Sequence, residues 1–321
     1  MSDIPAPSDI PPEIPAPARV PDLTVIIPHL NAPRVLEHCL RALSAQRDDG
    51  VDFRVIVVDN GSERRPEAVC AAYDFVRLSD EATPGPGPAR NHGASLAISP
   101  LLAFIDCDCI AHPGWIRCIA QHFARHPATD VIGGDVCIAR VDPARATAIE
   151  AYECVYGYRF KLYIEKHGYS GSGNMAVRRH VFEQVGGFAG IHIAEDMDWG
   201  RRAAALGVQL DYVPLMRIDT AAREDFCQLA RKWDRHIGHD FETLSGARQH
   251  LRWGIRALAL AASPLPEILR VLGSERISGA RERWLAWRCL CRIRLYRCTR
   301  MLRLLAGGDG RAMSGAWRRR G

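Results

Sequence analysis

The chain predicts an α/β protein built on an open, mainly parallel sheet. Three observations lead there. The runs LTVIIP (23–28), FRVIVVD (53–59) and PLLAF (100–104) are apolar without alternation, as strands covered on both faces are. Segments of helical spacing separate them. Carboxylates follow the strands, where open α/β sheets place their ligands.

Taken in order, LTVIIP reads as a first strand ended by Pro28. Residues 33–46 follow with helical spacing through Val35, Leu36, Cys39, Leu40 and Leu43, with Asn31 as the candidate cap. FRVIVVD is a second strand, and the NGS turn behind it suits Gly61 at positive φ. A helix near 65–73 and a short strand at 75–78 lead to a Pro/Gly loop, ATPGPGPARN, that opens a helix. Residues 131–141 read as a strand, 144–165 as a helix, GYSGSG as a flexible loop entering a short strand, and 207–214 as a last strand. Beyond Ile218 the chain reads as helical and basic.

The 321 residues are 47% hydrophobic and 25% charged, a globular composition. The net charge of +5 is unevenly spread. Residues 241–321 hold 17 arginines, no lysine and five acids, a surplus of twelve, so the first 240 residues carry a net −7. Eleven scattered cysteines do not make a disulfide scaffold and suit a reducing, cytoplasmic setting. Residues 1–20 form a proline-rich lead expected to be extended or disordered, without the look of a signal peptide. No run of eighteen apolar residues predicts a membrane span.

Chemistry concentrates in two acidic clusters. Asp106 and Asp108 sit one residue apart in FIDCDC, so a strand's alternation puts both on one face. Held close, they repel unless a cation joins them, and a divalent metal carrying a diphosphate would do so. Cys107 and Cys109 make a C-x-C, read as small side chains facing the sheet rather than as thiolate ligands. The second cluster, Glu195, Asp196 and Asp198, lies in AEDMDWGRR. A helix's first turn favours acids, and Asp198 is placed to pair with Arg202. Three acids in four residues also suit a carboxylate that accepts a proton from a substrate hydroxyl. Arg90 is open to two readings, a ligand of phosphate or a base carbonyl, or a surface salt bridge.

The ordered set TVIIPHLN, VVDNGS, GPGPARNHG, FIDCDC, GGD, GSGNMAVRR, GGF and EDMDWGRR resembles the inverting family 2 glycosyltransferases of GT-A fold, over residues 21 to 240. That resemblance implies a Rossmann-like nucleotide-sugar domain, with 241–321 as an Arg-rich helical extension. It further implies Pro28, Asp59, Arg90 and Asp106 around the nucleotide, and Asp135 and Asn174 toward the donor sugar or acceptor. Asp108 would be a metal ligand, with Asp106 beside it, Asp196 the catalytic base and Glu195 its support. The family's metal-ligating histidine position is occupied here by Asp219, with His236 and His239 as substitutes. The cofactor implied is Mn²⁺ or Mg²⁺. The partners implied are a nucleoside-diphosphate sugar, a UDP-sugar first, and a glycan or lipid-linked acceptor. No Q-x-x-R-W segment is present, which favours single transfer over polymer extrusion. The loop from Tyr163 to Gly173 is expected to close over the donor.

The tail stretch RERWLAWRCLCRIRLYRCTRML lines up Trp284, Trp287, Cys291, Leu295, Cys298 and Leu302, while Leu285, Leu290 and Ile293 spoil a clean polar face. Arginine with tryptophan and leucine suits an anionic membrane surface, placing the protein peripherally at the inner face. Packing on the catalytic domain or on a second subunit is the other use. Nothing reads as a nucleic-acid module. The competing function is a non-catalytic sugar-nucleotide-binding scaffold, which would bind donor without turnover.

Overall fold

The computed structural model describes residues 20–190 and 194–310. The lead before Val20, residues 191–193 and the GAWRRRG ending lie outside the described residues.

The first half alternates as its patterning predicts. β1 (Leu23–His29), α1 (Pro33–Ser44), β2 (Phe53–Asp59), α2 (Glu67–Ala71), β3 (Val76–Asp80), α3 (Pro86–Leu96) and β4 (Leu101–Ile105) come in that order. They are followed by β5 (Cys109–Ala111), α4 (Trp115–Arg125), β6 (Val131–Ala139), α5 (Ala148–Tyr156), α6 (Phe160–His167), β7 (Asn174–Arg178), α7 (Arg179–Val185), α8 (Glu195–Ala205) and β8 (Leu210–Ala221). The rest is helical: α9 (Phe226–Glu242), then in the extension α10 (Ala247–Ala262), α11 (Pro264–Leu272) and α12 (Gly279–Leu305).

One eight-stranded sheet runs β3-β2-β1-β4-β7-β6-β8-β5. Neighbours are parallel from β3 to β4 and between β6 and β8; β7 and β5 pair antiparallel. Every residue of β1 is buried, which is why its sequence does not alternate. Leu36, Leu40 and Leu43 of α1 and Trp115, Ile116 and Ile119 of α4 cover one face. On the other, Phe104 meets Phe188 edge-on at 5.3 Å, and Phe182 stacks on Trp199 at 6.0 Å. That aromatic cluster fixes α8, and with it the second acidic cluster, over the end of β4.

Several boundaries differ from the sequence reading, each for a local reason. β1 passes through Pro28 to His29. Odd residues of β1 bond toward β2, so Pro28 turns its missing N–H toward β4, whose pairing stops at Ile26. Asn31 does not cap α1; it adopts φ 51° and accepts from the Glu63 N–H. The expected helix over 144–165 breaks at 157–159 into α5 and α6. β8 runs on to Ala221 because its register with β6 slips between Gly134 and Asp135, and the slack absorbs Pro214. The segment 168–173 is packed: Tyr163 stacks on Tyr169 at 5.4 Å, and Ser170 and Ser172 are buried.

α12 is covered on more than one side, by α5, α9, α10 and α11. Its buried face is Ala286, Leu290, Ile293, Met301 and Leu304, whereas Trp284, Leu295 and Leu302 of the expected stripe are exposed. Spacing alone could not choose between the two apolar faces. The extension is pinned to the sheet domain by paired bonds from Arg140 to Glu282 and by Arg276 on Asp135.

Candidate active site

The site is assembled at the C-terminal ends of β1, β2 and β4. In register, His29 faces Asp59, and His29 Nδ1 lies 2.8 Å from Asp59 Oδ1. Ser62 donates to both Asp59 oxygens, from its N–H at 3.0 Å and its hydroxyl at 2.5 Å. Burial alone would raise the Asp59 carboxyl; the bonds from Ser62 and His29 outweigh it and hold it below the usual range. Asn60 donates to the carbonyls of Glu81 and Thr83 and accepts from the Gly85 N–H, clamping the Pro/Gly loop at the mouth of α3. Pro28 is buried within β1 beside this corner.

α3 delivers Arg90 into the centre. Its guanidinium, 3% exposed, donates to Asp106 Oδ1 at 2.5 Å and pairs with Glu195 Oε1. Arg90 is thus buried rather than in a surface salt bridge, and it joins the two acidic clusters. The approach leaves no room for side chains nearby. A Cβ on Gly173 would lie 2.5 Å from Asp106 Oδ2, and one on Gly87 would lie 2.3 Å from the Ala189 carbonyl.

Asp108 is exposed, and its carboxyl is raised by desolvation and by the charge of Asp106. Glu195 is raised by burial, with Arg90 opposing and Asp196 adding. Asp196 is raised by burial too, against its bonds to the backbone N–H groups of α8's first turn. Asp198 pairs with Arg202 at 3.0 Å, as its spacing predicts. Arg202 also donates to the carbonyls of Val185 and Gly187, bracing the loop before α8.

Asn174 has a different task from the one expected. Fully buried, it accepts from Trp115 Nε1 at 3.0 Å and donates to the carbonyls of Asp135 and Met216, each at 2.9 Å. Both amide hydrogens are used, so none remains for a sugar. Asp135 is held by Arg276 of the extension, not by the central cluster. Asp219 sits 2.9 Å from His112 and 3.5 Å from Arg217. His236 is an exposed residue of α9 lying against Trp233, and is pushed down to about 4 by desolvation and by Lys232 and Arg235. His239 is an exposed residue of α9. Asp219, His236 and His239 thus lie outside the cluster formed by Asp106, Asp108 and Cys109.

Those three residues bring ligand atoms within 4.8 Å of one another. The Cys109 thiol is buried and held protonated, its pKa raised by burial and by the two aspartates. Burial and the same two carboxylates push Cys107 up to about 12. The usable donors are carboxylate oxygens, with Asp106 already partnered by Arg90 on one oxygen, a set that fits a hard divalent cation and not a thiolate metal.

Two basic side chains missed in the sequence, Arg223 and Lys232, gather around Glu153 and Tyr158. Arg223, in the turn after β8, bonds the buried Glu153 through its N–H at 2.9 Å and through its guanidinium. It also draws the Asp108 carboxyl downward. Lys232 Nζ lies 5.8 Å from the Tyr158 ring centre; burial, then Arg223, lowers it to about 8. The ring of Tyr158 in turn feels both Arg223 and Asp108. Nothing in the basic run ARKWDR marks one lysine as facing a site, because only the break after α5 puts Tyr158 beneath it.

An acidic pair at the end of a parallel strand, faced by a carboxylate-bearing helix, defines a protein of the GT-A fold class. The profile of Glycosyl transferase family 2 matches residues 24–186, and the chain belongs to that family. It is 31% identical over 201 residues to glycosyltransferase AglE of Haloferax volcanii, covering 61% of this chain and 65% of that protein. It is 29% identical over 212 residues to the pre-mycofactocin glycosyltransferase of Mycobacterium tuberculosis, covering 60% and 41%. The chain thus spans less than two thirds of the length of these relatives. The fold is shared with a mannosyltransferase from Pyrobaculum calidifontis, solved with GDP-Man and Mn²⁺, at a TM-score of 0.54 and 17% identity, over 95% of this chain and 92% of the other.

Proposed function

We propose that the protein transfers a sugar from a nucleoside-diphosphate sugar to an acceptor hydroxyl, with inversion at the anomeric carbon. The observation that carries this reading is the junction at Arg90, which holds Asp106 beside Asp108 and brings Glu195, with Asp196 next to it, across from them. The nucleoside belongs at the His29–Asp59–Ser62 corner, with the loop clamped by Asn60 beside it.

Asp108 and Asp106 would hold Mn²⁺ or Mg²⁺, which when bound offsets the charge of the departing diphosphate. Arg223 and Lys232 add positive charge on the flank where those phosphates would lie. Asp196 takes the proton of the acceptor hydroxyl as its oxygen bonds to the anomeric carbon. In the same displacement the bond from that carbon to the diphosphate oxygen breaks, and the nucleoside diphosphate leaves with the electron pair. Glu195, fixed by Arg90 and by Ser172 at 3.4 Å, orients the base and the acceptor. A carboxylate raised by burial is a stronger base than one in water, which suits this role.

The acceptor we infer is a lipid-linked or cell-envelope glycan precursor, a reading supported by a 28% identical relative of Haloferax volcanii named glucosyl-dolichyl phosphate glucuronosyltransferase. We infer a UDP-sugar or GDP-sugar donor, used at the cytoplasmic face of the membrane. The test is nucleotide release from a panel of nucleoside-diphosphate sugars, with Mn²⁺ or EDTA, by wild type and Asp108→Ala. Metal-dependent turnover of one donor, lost in the variant, is expected. Donor binding without turnover, even with acceptors supplied, would favour the scaffold reading.

A further inference from the structure

The extension carries a face that the catalytic reading does not use. α10 and α11 are separated by Ser263 alone and run antiparallel along α12. Trp253 Nε1 donates to the Met301 carbonyl at 3.2 Å, Trp287 Nε1 to that of Pro264 at 3.3 Å, and Arg283 Nε to that of Leu272 at 3.1 Å. The inward sides of the two helices, Trp253, Ala257 and Val271, are buried. Their outward sides are apolar as well. Leu251 is 67% exposed, with Ile255 and Leu258 following at four and three residues. On α11, Leu265 and Leu269 are 71% and 75% exposed, and Leu272 follows. At 1.5 Å per residue the strip is roughly 30 Å long.

Charge says what covers it. Arg248 and Arg252 are exposed one turn apart along the flank of the strip on α10. The acid of these two helices, Glu267, is already engaged by Arg270 and by the Tyr156 hydroxyl. A second copy would bring the same arginines against its own, which is repulsive, whereas anionic headgroups complement them. None of the described helices is long and apolar enough to cross a membrane, so the strip would lie in the interface plane. We propose that the outer face of α10–α11 seats the protein on an anionic lipid surface, with the leucine strip at the acyl boundary and Arg248 and Arg252 among the headgroups. This replaces α12, whose buried face holds the extension together, as the membrane-facing element.

The full chain is sedimented with vesicles of phosphatidylcholine alone or mixed with phosphatidylglycerol. Wild type is expected to follow the mixed vesicles. Leu251→Asp with Ile255→Asp should weaken that partitioning about tenfold or more, while keeping the wild-type melting temperature because both sites are exposed. Arg248→Gln with Arg252→Gln should remove the preference for anionic vesicles. Val141→Asp, at a residue 95% exposed elsewhere, should change nothing. Wild-type binding retained in the Leu251/Ile255 variant, or no vesicle binding at all, overturns the proposal. A dimer seen by light scattering and dissolved by that variant would assign the strip to a second copy instead.

Discussion

At the residue scale the carboxylates divide the work, and their environments make the division testable. Asp196→Asn should lower kcat by about a thousandfold or more while leaving donor affinity within about twofold, measured by calorimetry beside turnover. Asp108→Ala should abolish metal-dependent donor binding itself. Equal loss of donor binding in both variants would sink this assignment. Asp196 has its pKa raised, so it becomes a usable base only as pH climbs above the ordinary carboxylate range. The acid limb of kcat should therefore lie above pH ~4, the value for an unperturbed aspartate. Asp59 runs the other way. Its folded pKa is depressed, so the stability it contributes is present above the unfolded value of about 3.9 and is lost as pH falls through the folded one. Asp59→Asn should flatten that part of an acid melt followed by circular dichroism.

At the scale of elements, the first residue of β7 fastens three strands. Asn174 ties β7 to the backbones of β6 and β8 and to Trp115 of α4. Asn174→Ala leaves a buried indole N–H and two buried carbonyls short of partners, and should destabilise the fold by about 3 kcal/mol in a denaturant titration. The motif GSGN marks this asparagine without saying what it does. Its partners come from facing strands, contacts that sequence spacing does not encode. Arg90 is a milder case. GPGPARN leaves its partner open, and the arrival of Glu195 from a helix 105 residues away makes it a buried junction instead of a surface pair. His29 and Ser62 lay inside recognised motifs, yet their bonds to Asp59 depend on the β1–β2 register.

At the scale of the whole molecule, the Arg-rich extension is part of the fold's closure. α12 lays Leu290 and Ile293 with Tyr152 of α5 and Leu229 of α9, and Ala286 with Ala151 and Val155. A chain ending at Gly246 would expose those residues of α5 together with Arg223 and Lys232. Such a chain should be insoluble or melt far below the intact protein, which expression and a thermal scan would show. If it folds and keeps its donor affinity, the extension is an independent appendage.

The sequence by itself determined the strand runs, the helix spacing between them, and the two acidic clusters with their family motifs. These are local or periodic signals: apolar runs set which segments are buried, and one-residue spacing sets which carboxylates share a face. Tertiary structure alone decided what the polar side chains touch. It turned Asp135 toward the extension, set Asp219 against His112, brought Arg223 onto Glu153 and Lys232 over Tyr158, and chose which apolar face of each tail helix is buried. Those outcomes depend on which distant segments become neighbours, and hydrogen bonds and ion pairs act over a few ångströms that sequence spacing does not encode.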